Sequence, residues 1–264
     1  MRFWFSSPAT LLLAMVVGAS LTLAARGETV NVAAAANLLH AMPALAVDFE
    51  TRTSHDLRIS YGSSGNLARQ IRQGAPFQVF LSANEAYVED LRRMGHTLGQ
   101  GRNYAVGRMA LFIPSGSPLF PLATGKPDLA TILDDPVLRR LAIANPDHAP
   151  YGMLAREALV RLQVWDAVRD RLVLGDSAAQ AVQFAVSGNV DAALLPYTAL
   201  LVPKVGREGR FWLLDEGIYT PLQQRMTLLP GAGDGAQALF EYLQSAAAHE
   251  ILGDHGFLIS DDGI

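Results

Sequence analysis

Two stretches, Val32-Ala33-Ala34-Ala35-Ala36-Asn37-Leu38 and Gly62-Ser63-Ser64-Gly65-Asn66-Leu67-Ala68-Arg69-Gln70-Ile71, carry the reading of the fold. Each passes from an extended segment, through small, hydroxyl or amide residues, into a helical pattern. The first belongs to an apolar strand from Thr29 to Ala35. Beyond it Leu38, Met42, Leu45 and Phe49 are spaced four, three and four, which predicts a helix with one apolar face. Pro43 has no backbone donor, so that helix starts late or bends there. The second stretch follows a strand near Leu57 to Tyr61 and opens a short helix, Leu67 to Gln73, ended by Gly74.

The same rhythm continues outward. A strand at Val79 to Leu81 precedes a helix from Glu85 to Met94, closed by Gly95. Leu141 to Ala144 is a strand, Asn145 to Pro150 a loop, and Gly152 to Leu162 a helix. Val173 to Gly175 leads to a helix from Ser177 to Gly188. Val190 to Leu195 is apolar except for Asp191, as in a parallel strand covered on both faces. Gly235 to Leu252 reads as mostly helical, with Ala238, Leu239, Tyr242 and Leu243 on one side. Alternating strands and helices predict an α/β architecture. Tyr104 to Pro114 passes between two such runs and Leu222 to Leu229 returns, so two crossings suggest a hinge between two lobes.

Bulk properties narrow the function. The chain has 264 residues, 50% of them apolar, which is ample for a packed core. Its formal charge is −4, and no polybasic segment marks a nucleic-acid partner. There is no cysteine, hence no disulfide, thiolate metal site, cysteine nucleophile or cysteine-linked lipid. Residues 1–25 differ from the rest. Arg2 is followed by an apolar run from Leu11 to Ala24, then Ala25 and the charged Arg26 and Glu28. This is the pattern of a secretory signal peptide, and the run is too short and too rich in Ser, Gly and Thr for a membrane anchor. A soluble, exported, periplasmic protein is expected.

Four strand-to-helix junctions share a chemistry: Ala34 to Asn37, Gly62 to Asn66, Pro150 to Gly152, and Gly175 to Ala178. A helix start presents unpaired N–H groups and partial positive charge, which favour an anion. Small residues allow close approach, and Ser and Asn add donors. Taken singly, each is better explained by ordinary capping. Ser177 reads as a plain cap. Asp176 would repel an anion and is expected to point away. Catalytic motifs are missing: Gly62-Ser63-Ser64-Gly65 lacks nucleophile-elbow spacing, and His249-Glu250 has no second histidine on its helix face. His40, just beyond the first junction, and His148, in the third, could stand behind the site, but solvent-facing positions are favoured, and no enzyme activity is expected.

Taken together with Gly74-Ala75-Pro76, Phe80-Leu81-Ser82-Ala83-Asn84-Glu85, Asn145 to Gly152, Ala155-Arg156-Glu157-Ala158-Leu159 and Leu172 to Asp176, these stretches resemble the periplasmic molybdate-binding proteins of ABC importers. The resemblance runs nearly end to end. It implies a two-lobed type II periplasmic-binding fold, with two Rossmann-like lobes joined by two hinge crossings. One lobe is expected from residues 26–106 and 223–264, the other from 107–222. It also implies that neutral donors hold a dehydrated tetrahedral oxyanion, molybdate or tungstate, with no protein atom bound directly to the metal and no cofactor.

Carried over by position, Asn37 matches the first ligand, usually Ser, and Ser64 the second. Tyr151 and Ala178 match residues that donate backbone N–H groups. The fifth position is commonly a Tyr. Here it is Pro196, which cannot donate, and Tyr197 next to it would supply the hydroxyl if the strand end shifts by one residue. Gln78, where the family often has Asp, is expected to serve strand-end structure. The implied partners are the oxyanion and, transiently, an inner-membrane ABC permease, with the protein itself a monomer. The alternative is a binding protein for sulfate, phosphate or a carboxylate.

Overall fold

The structure, a computed structural model, describes residues 27–125 and 127–259; the expected signal peptide, 1–25, lies outside them. The first lobe opens with β1 (Thr29–Ala35), α1 (Met42–Arg52), β2 (Asp56–Gly62), α2 (Ser64–Arg72), β3 (Val79–Ser82), α3 (Glu85–Arg93) and β4 (Leu98–Gly107). The second lobe contains β5 (Met109–Pro114), α4 (Leu129–Asp134), β6 (Leu141–Ala144), α5 (Pro150–Arg161), α6 (Trp165–Val168), β7 (Leu172–Gly175), α7 (Ala178–Val186), β8 (Ala192–Pro196), α8 (Tyr197–Leu200), α9 (Pro203–Gly206) and β9 (Gly209–Leu213). The chain then returns to the first lobe through β10 (Leu222–Leu228), α10 (Asp234–Tyr242) and α11 (Ala246–Asp254).

Two five-stranded sheets result, ordered β2-β1-β3-β10-β4 and β7-β6-β8-β5-β9. In each, three neighbouring strands run parallel, β2-β1-β3 and β7-β6-β8, and the next strand, β10 or β5, runs antiparallel to them. The second sheet is therefore mixed where the apolar run at Val190 to Leu195 had suggested a parallel one: β8 lies parallel to β6 and antiparallel to β5. Its strand also begins later than expected, at Ala192. Asp191 sits in the turn before it, and its carboxylate accepts the backbone N–H groups of Arg139 and Arg140 at 2.7 and 2.9 Å.

Local chemistry accounts for the helix ends. Ala36–Leu38 form one 3₁₀ turn, and α1 starts late, with Pro43 in its first turn where no donor is needed. Met42, Leu45 and Phe49 on α1 pack against Val30, Val32, Leu239 and Leu252 in the first core. Gly74 and Gly95, at φ of +84° and +76°, take the left-handed turn after α2 and α3 that other residues resist. The expected C-terminal helix is divided in two, because the Ser245 hydroxyl caps α11 by accepting from Ala248 N at 3.2 Å.

The lobes are joined by two neighbouring crossings. Arg108 alone separates β4 from β5, while residues 214–221 lead back into β10. Gly107 and Leu222, both expected at the edge of the second lobe, pair with each other in the first sheet. Arg108 is tied down at the first crossing. Its guanidinium donates to Gly256 O at 2.9 Å, and its own carbonyl accepts from Tyr197 N at 2.9 Å.

The site depends on how closely each helix follows its strand. At Gly152, in the first turn of α5, a Cβ would lie 2.2 Å from Ala144 O and 2.6 Å from Asn145 C. Both are backbone atoms and cannot move aside cheaply. Gly152→Ala is therefore expected to destabilise the protein by about 1–3 kcal/mol. Urea unfolding should show a lower midpoint with an unchanged slope; an unchanged midpoint would mean that α5 is not seated this tightly.

Candidate functional site: a cavity between the lobes

The four junctions meet. Ala35, Ala36 and Asn37 follow β1; Gly62, Ser63 and Ser64 join β2 to α2; Ala149, Pro150 and Tyr151 open α5; Ala178 opens α7. With Ala83, these residues line a small, tightly closed cavity of about 10 Å³. The lining contains no charged side chain. Larger hollows lie around Trp212, touching none of the junctions, and beside Asn37 and Ala178 or Pro150, but none of them gathers all four.

Helix starts dominate the lining. The first N–H groups of a helix have no partner inside it, and their dipoles point outward. Neither α2 nor α5 has a side-chain cap at its start. The N–H of Tyr151 in the first turn of α5 is thus one of these free donors. α7 differs, because the Ser177 hydroxyl accepts from Gln180 N at 3.4 Å. That capping, as expected, consumes a deeper N–H and leaves the one on Ala178 at the cavity.

Ser64 is fully buried, and its Oγ accepts the N–H of Ala83 at 3.0 Å. That bond fills an oxygen lone pair and leaves the hydroxyl proton to donate elsewhere. Asn37 is 4% exposed. Its Nδ2 donates to Gln224 Oε1 at 3.1 Å, and its backbone carbonyl accepts the Thr198 hydroxyl at 3.2 Å. The Tyr151 ring does not cover the cavity mouth. It is buried, with its hydroxyl beside Gly107 and Gln224, so Tyr151 lines the cavity near its backbone and sends its phenol to the hinge. Burial pushes the Tyr151 phenol up, so it stays neutral at physiological pH.

Tyr197 lies elsewhere. Its ring packs under the Arg108 guanidinium, 4.7 Å away, and edge-on to Phe211. Pro196 ends β8 without the shift that would bring the next residue round to the cavity. The structure thus brings together Asn37, Ser64, Tyr151 and Ala178 and leaves Tyr197 outside. Gln78 serves the strand end, as expected: its Oε1 accepts from Asn31 N at 2.8 Å.

Polar contacts cross the cleft beside the cavity. Gly65 N donates to His148 O at 3.0 Å, and Ser63 Oγ lies 3.0 Å from His148 Nδ1. Asp176 turns away from the cavity to the rim, where Asn66 Nδ2 donates to it at 3.2 Å and His148 Nε2 stands 3.5 Å away. The expectation of a solvent-facing His148 is corrected: the loop before α5 folds its ring between Ser63 and Asp176. His40 is also partly covered, and burial followed by the neighbouring His255 lowers its pKa.

The sequence reading passed over Thr198 and Gln224 and favoured a solvent-facing place for His148. His148 and Thr198 sit in loops or short helices whose pattern announces no inward direction. Gln224 did leave a signal. In β10 the residues Leu222, Gln224 and Met226 share the buried face by strand alternation, so a glutamine falls where an apolar residue is expected.

Comparison with known proteins agrees with this geometry. The family model described as "Bacterial extracellular solute-binding protein" matches residues 30–258. The molybdate-binding protein ModA of Azotobacter vinelandii is 34% identical over 93% of this chain and 96% of its own length. ModA of Rhodobacter capsulatus is likewise 34% identical, over 93% and 94%. Among solved structures, the periplasmic molybdate-binding protein of Azotobacter vinelandii aligns at a TM-score of 0.79 and 28% identity, covering 88% of this chain and 100% of that one. Because one family description spans both lobes and the cavity between them, the chain belongs to the bacterial extracellular solute-binding proteins, which are binders and not enzymes.

Proposed function

We propose that this chain is the periplasmic component of an ABC importer and captures molybdate, or its close analogue tungstate, in the cavity between its lobes. The observation that carries the proposal is an uncharged, buried lining made of hydroxyl, amide and helix-start donors. The similarity to ModA proteins over nearly the whole chain supports the choice of oxyanion.

A dianion entering the cavity loses its water, a large cost unless each oxygen finds new donors. A hydrogen bond to a charged group contributes about 1.5–3 kcal/mol, so several are needed together. In our proposal Asn37 and Ser64 receive the anion first, on the first lobe. The N–H groups of Tyr151 and Ala178 then close on it from the second, and the crossings at Arg108 and 214–221 act as the hinge. The lobe that ends at Gly107 and resumes at Leu222, and the lobe between them, move as the two bodies. The anion favours the closed form because only that form presents all four donor groups. Neutral donors suit a fully deprotonated guest and make no demand for a proton on it. Oxygens on shorter bonds, as in sulfate, leave fixed donors unpaired, which is the basis of selection. After export the loaded protein would deliver its guest to a membrane permease as a monomer.

Thermal unfolding of ligand-stripped protein is the first test. Molybdate or tungstate at a hundred times its dissociation constant should add about 2.7 kcal/mol of stability, while sulfate and phosphate at equal concentration add little. A larger rise with sulfate, phosphate or a carboxylate would move the assignment to that anion, and no rise with any oxyanion would end it. Titration calorimetry of variants then tests the donors. Asn37→Ala and Ser64→Ala should each weaken molybdate binding by about 1.5–3 kcal/mol, and Tyr197→Phe should leave it unchanged. Equal binding by Ser64→Ala and the parent protein would remove Ser64 from the site.

A further inference from the structure

We infer that Gln224 is a positioning residue for the anion site: its side-chain amide donates to Asn37 Oδ1 and so turns Asn37 Nδ2 toward the guest. This deepens the oxyanion proposal and depends on it only for the identity of that guest.

The two amides meet inside the first lobe, with Gln224 fully buried on β10 and Asn37 nearly so. Their contact, 3.1 Å, admits either direction of donation, because an amide turned end for end keeps its outline and exchanges donor for acceptor. With Asn37 Nδ2 donating to Gln224 Oε1, the Tyr104 hydroxyl also donates to Gln224 Oε1 at 2.9 Å. Among the described residues, that arrangement leaves three buried polar atoms unpaired: Asn37 Oδ1, Gln224 Nε2 and the Tyr151 hydroxyl. Buried polar groups without partners are costly, and three in one cluster point to a better arrangement.

Turning both amides supplies it. Gln224 Nε2 then faces Asn37 Oδ1 and the Tyr104 oxygen and donates to both. The Tyr104 proton passes to Ser82 O, 3.3 Å away. Gln224 Oε1 now faces Gly107, where the Tyr151 hydroxyl also lies. A Cβ on Gly107 would stand 2.5 Å from that hydroxyl and 2.6 Å from the outer atom of the Gln224 amide, so the missing side chain makes room for both. An oxygen able to accept from the Tyr151 hydroxyl then stands on that side in place of a second donor. Asn37 Oδ1 and Gln224 Nε2 both gain partners, and Asn37 is left with its Nδ2 free for the guest. An anion meets a donor there. In the other arrangement it would meet a carbonyl oxygen, which repels it. The same glutamine thereby holds the Tyr151 phenol, on the lobe that closes, against the Asn37 amide of the lobe that receives.

Two measurements decide the matter. In 15N-labelled protein, nuclear Overhauser contacts from the Gln224 amide protons should reach the Tyr104 ring. Contacts to the Tyr151 ring alone would overturn the inference, and this readout needs neither variant nor ligand. Titration calorimetry with sodium molybdate supplies the second arm. Gln224→Met should weaken binding by about tenfold to a hundredfold, as loss of an outer-shell partner of a bound ion does. In an Asn37→Ser background, where a hydroxyl needs no turning, the same change should cost only about twofold. Equal losses in both backgrounds would overturn the positioning role. A parent protein that ignores molybdate would instead end the oxyanion proposal, while the Overhauser contacts still decide the amide orientation.

Discussion

A small anion stripped of water must be given a hydrogen bond for nearly every face it shows, and no single helix start can do this. The geometry of the whole molecule answers that demand. Each lobe is an α/β layer whose strands end at the cleft, so that the following helices begin there with their donors pointing inward. The side chains at these ends are small enough to let backbone groups come close. The charge of the guest is met by dipoles held in place by the sheets behind them. Arginine and lysine are absent from the lining, which also avoids burying a permanent positive charge in the protein whenever the cleft holds only water.

Closure is held by more than the guest. The rim contacts of Ser63, Gly65 and Asn66 with His148 and Asp176 join the lobes directly. They are partly exposed, so each contributes modestly and exchanges readily with water. Such a clasp aligns the two halves without locking them, which a carrier that must also release its load requires. Asp176 illustrates the division of labour. Its carboxylate would be harmful inside the cavity, and it works instead at the rim with a side chain 69% exposed.

Much of this was legible in the sequence, for identifiable reasons. Apolar runs such as Leu141 to Ala144 and glycines such as Gly74 mark strands and helix ends through local physics, and those elements appear where expected. The small and hydroxyl residues before α2 and α5 announced the cavity because four junctions repeated one pattern. What stayed hidden is non-local. The antiparallel partner of β8 arrives from the hinge crossing, and no periodicity within Val190 to Leu195 records it. Tyr197 looked available because its hydroxyl stood one residue from the expected place. Its fate was decided by Arg108 and Phe211, far away in sequence. His148 was misjudged for the same reason, since its partners come from both lobes.

Arg108 also governs how the protein can move. It is the whole of one crossing, and Gly107 beside it pairs with Leu222 where the other crossing re-enters the sheet. The two lines of chain therefore behave as one narrow torsion bar, anchored by the guanidinium at Gly256. A bar of this kind permits twist and bend but little sliding. In the closure proposed above, atoms near the bar, including the Gln224 amide and the Tyr151 phenol, would travel only a short way while the rim at the far end sweeps a wide arc. Small adjustments of packing at the pivot would then be converted by leverage into the opening and shutting of the mouth.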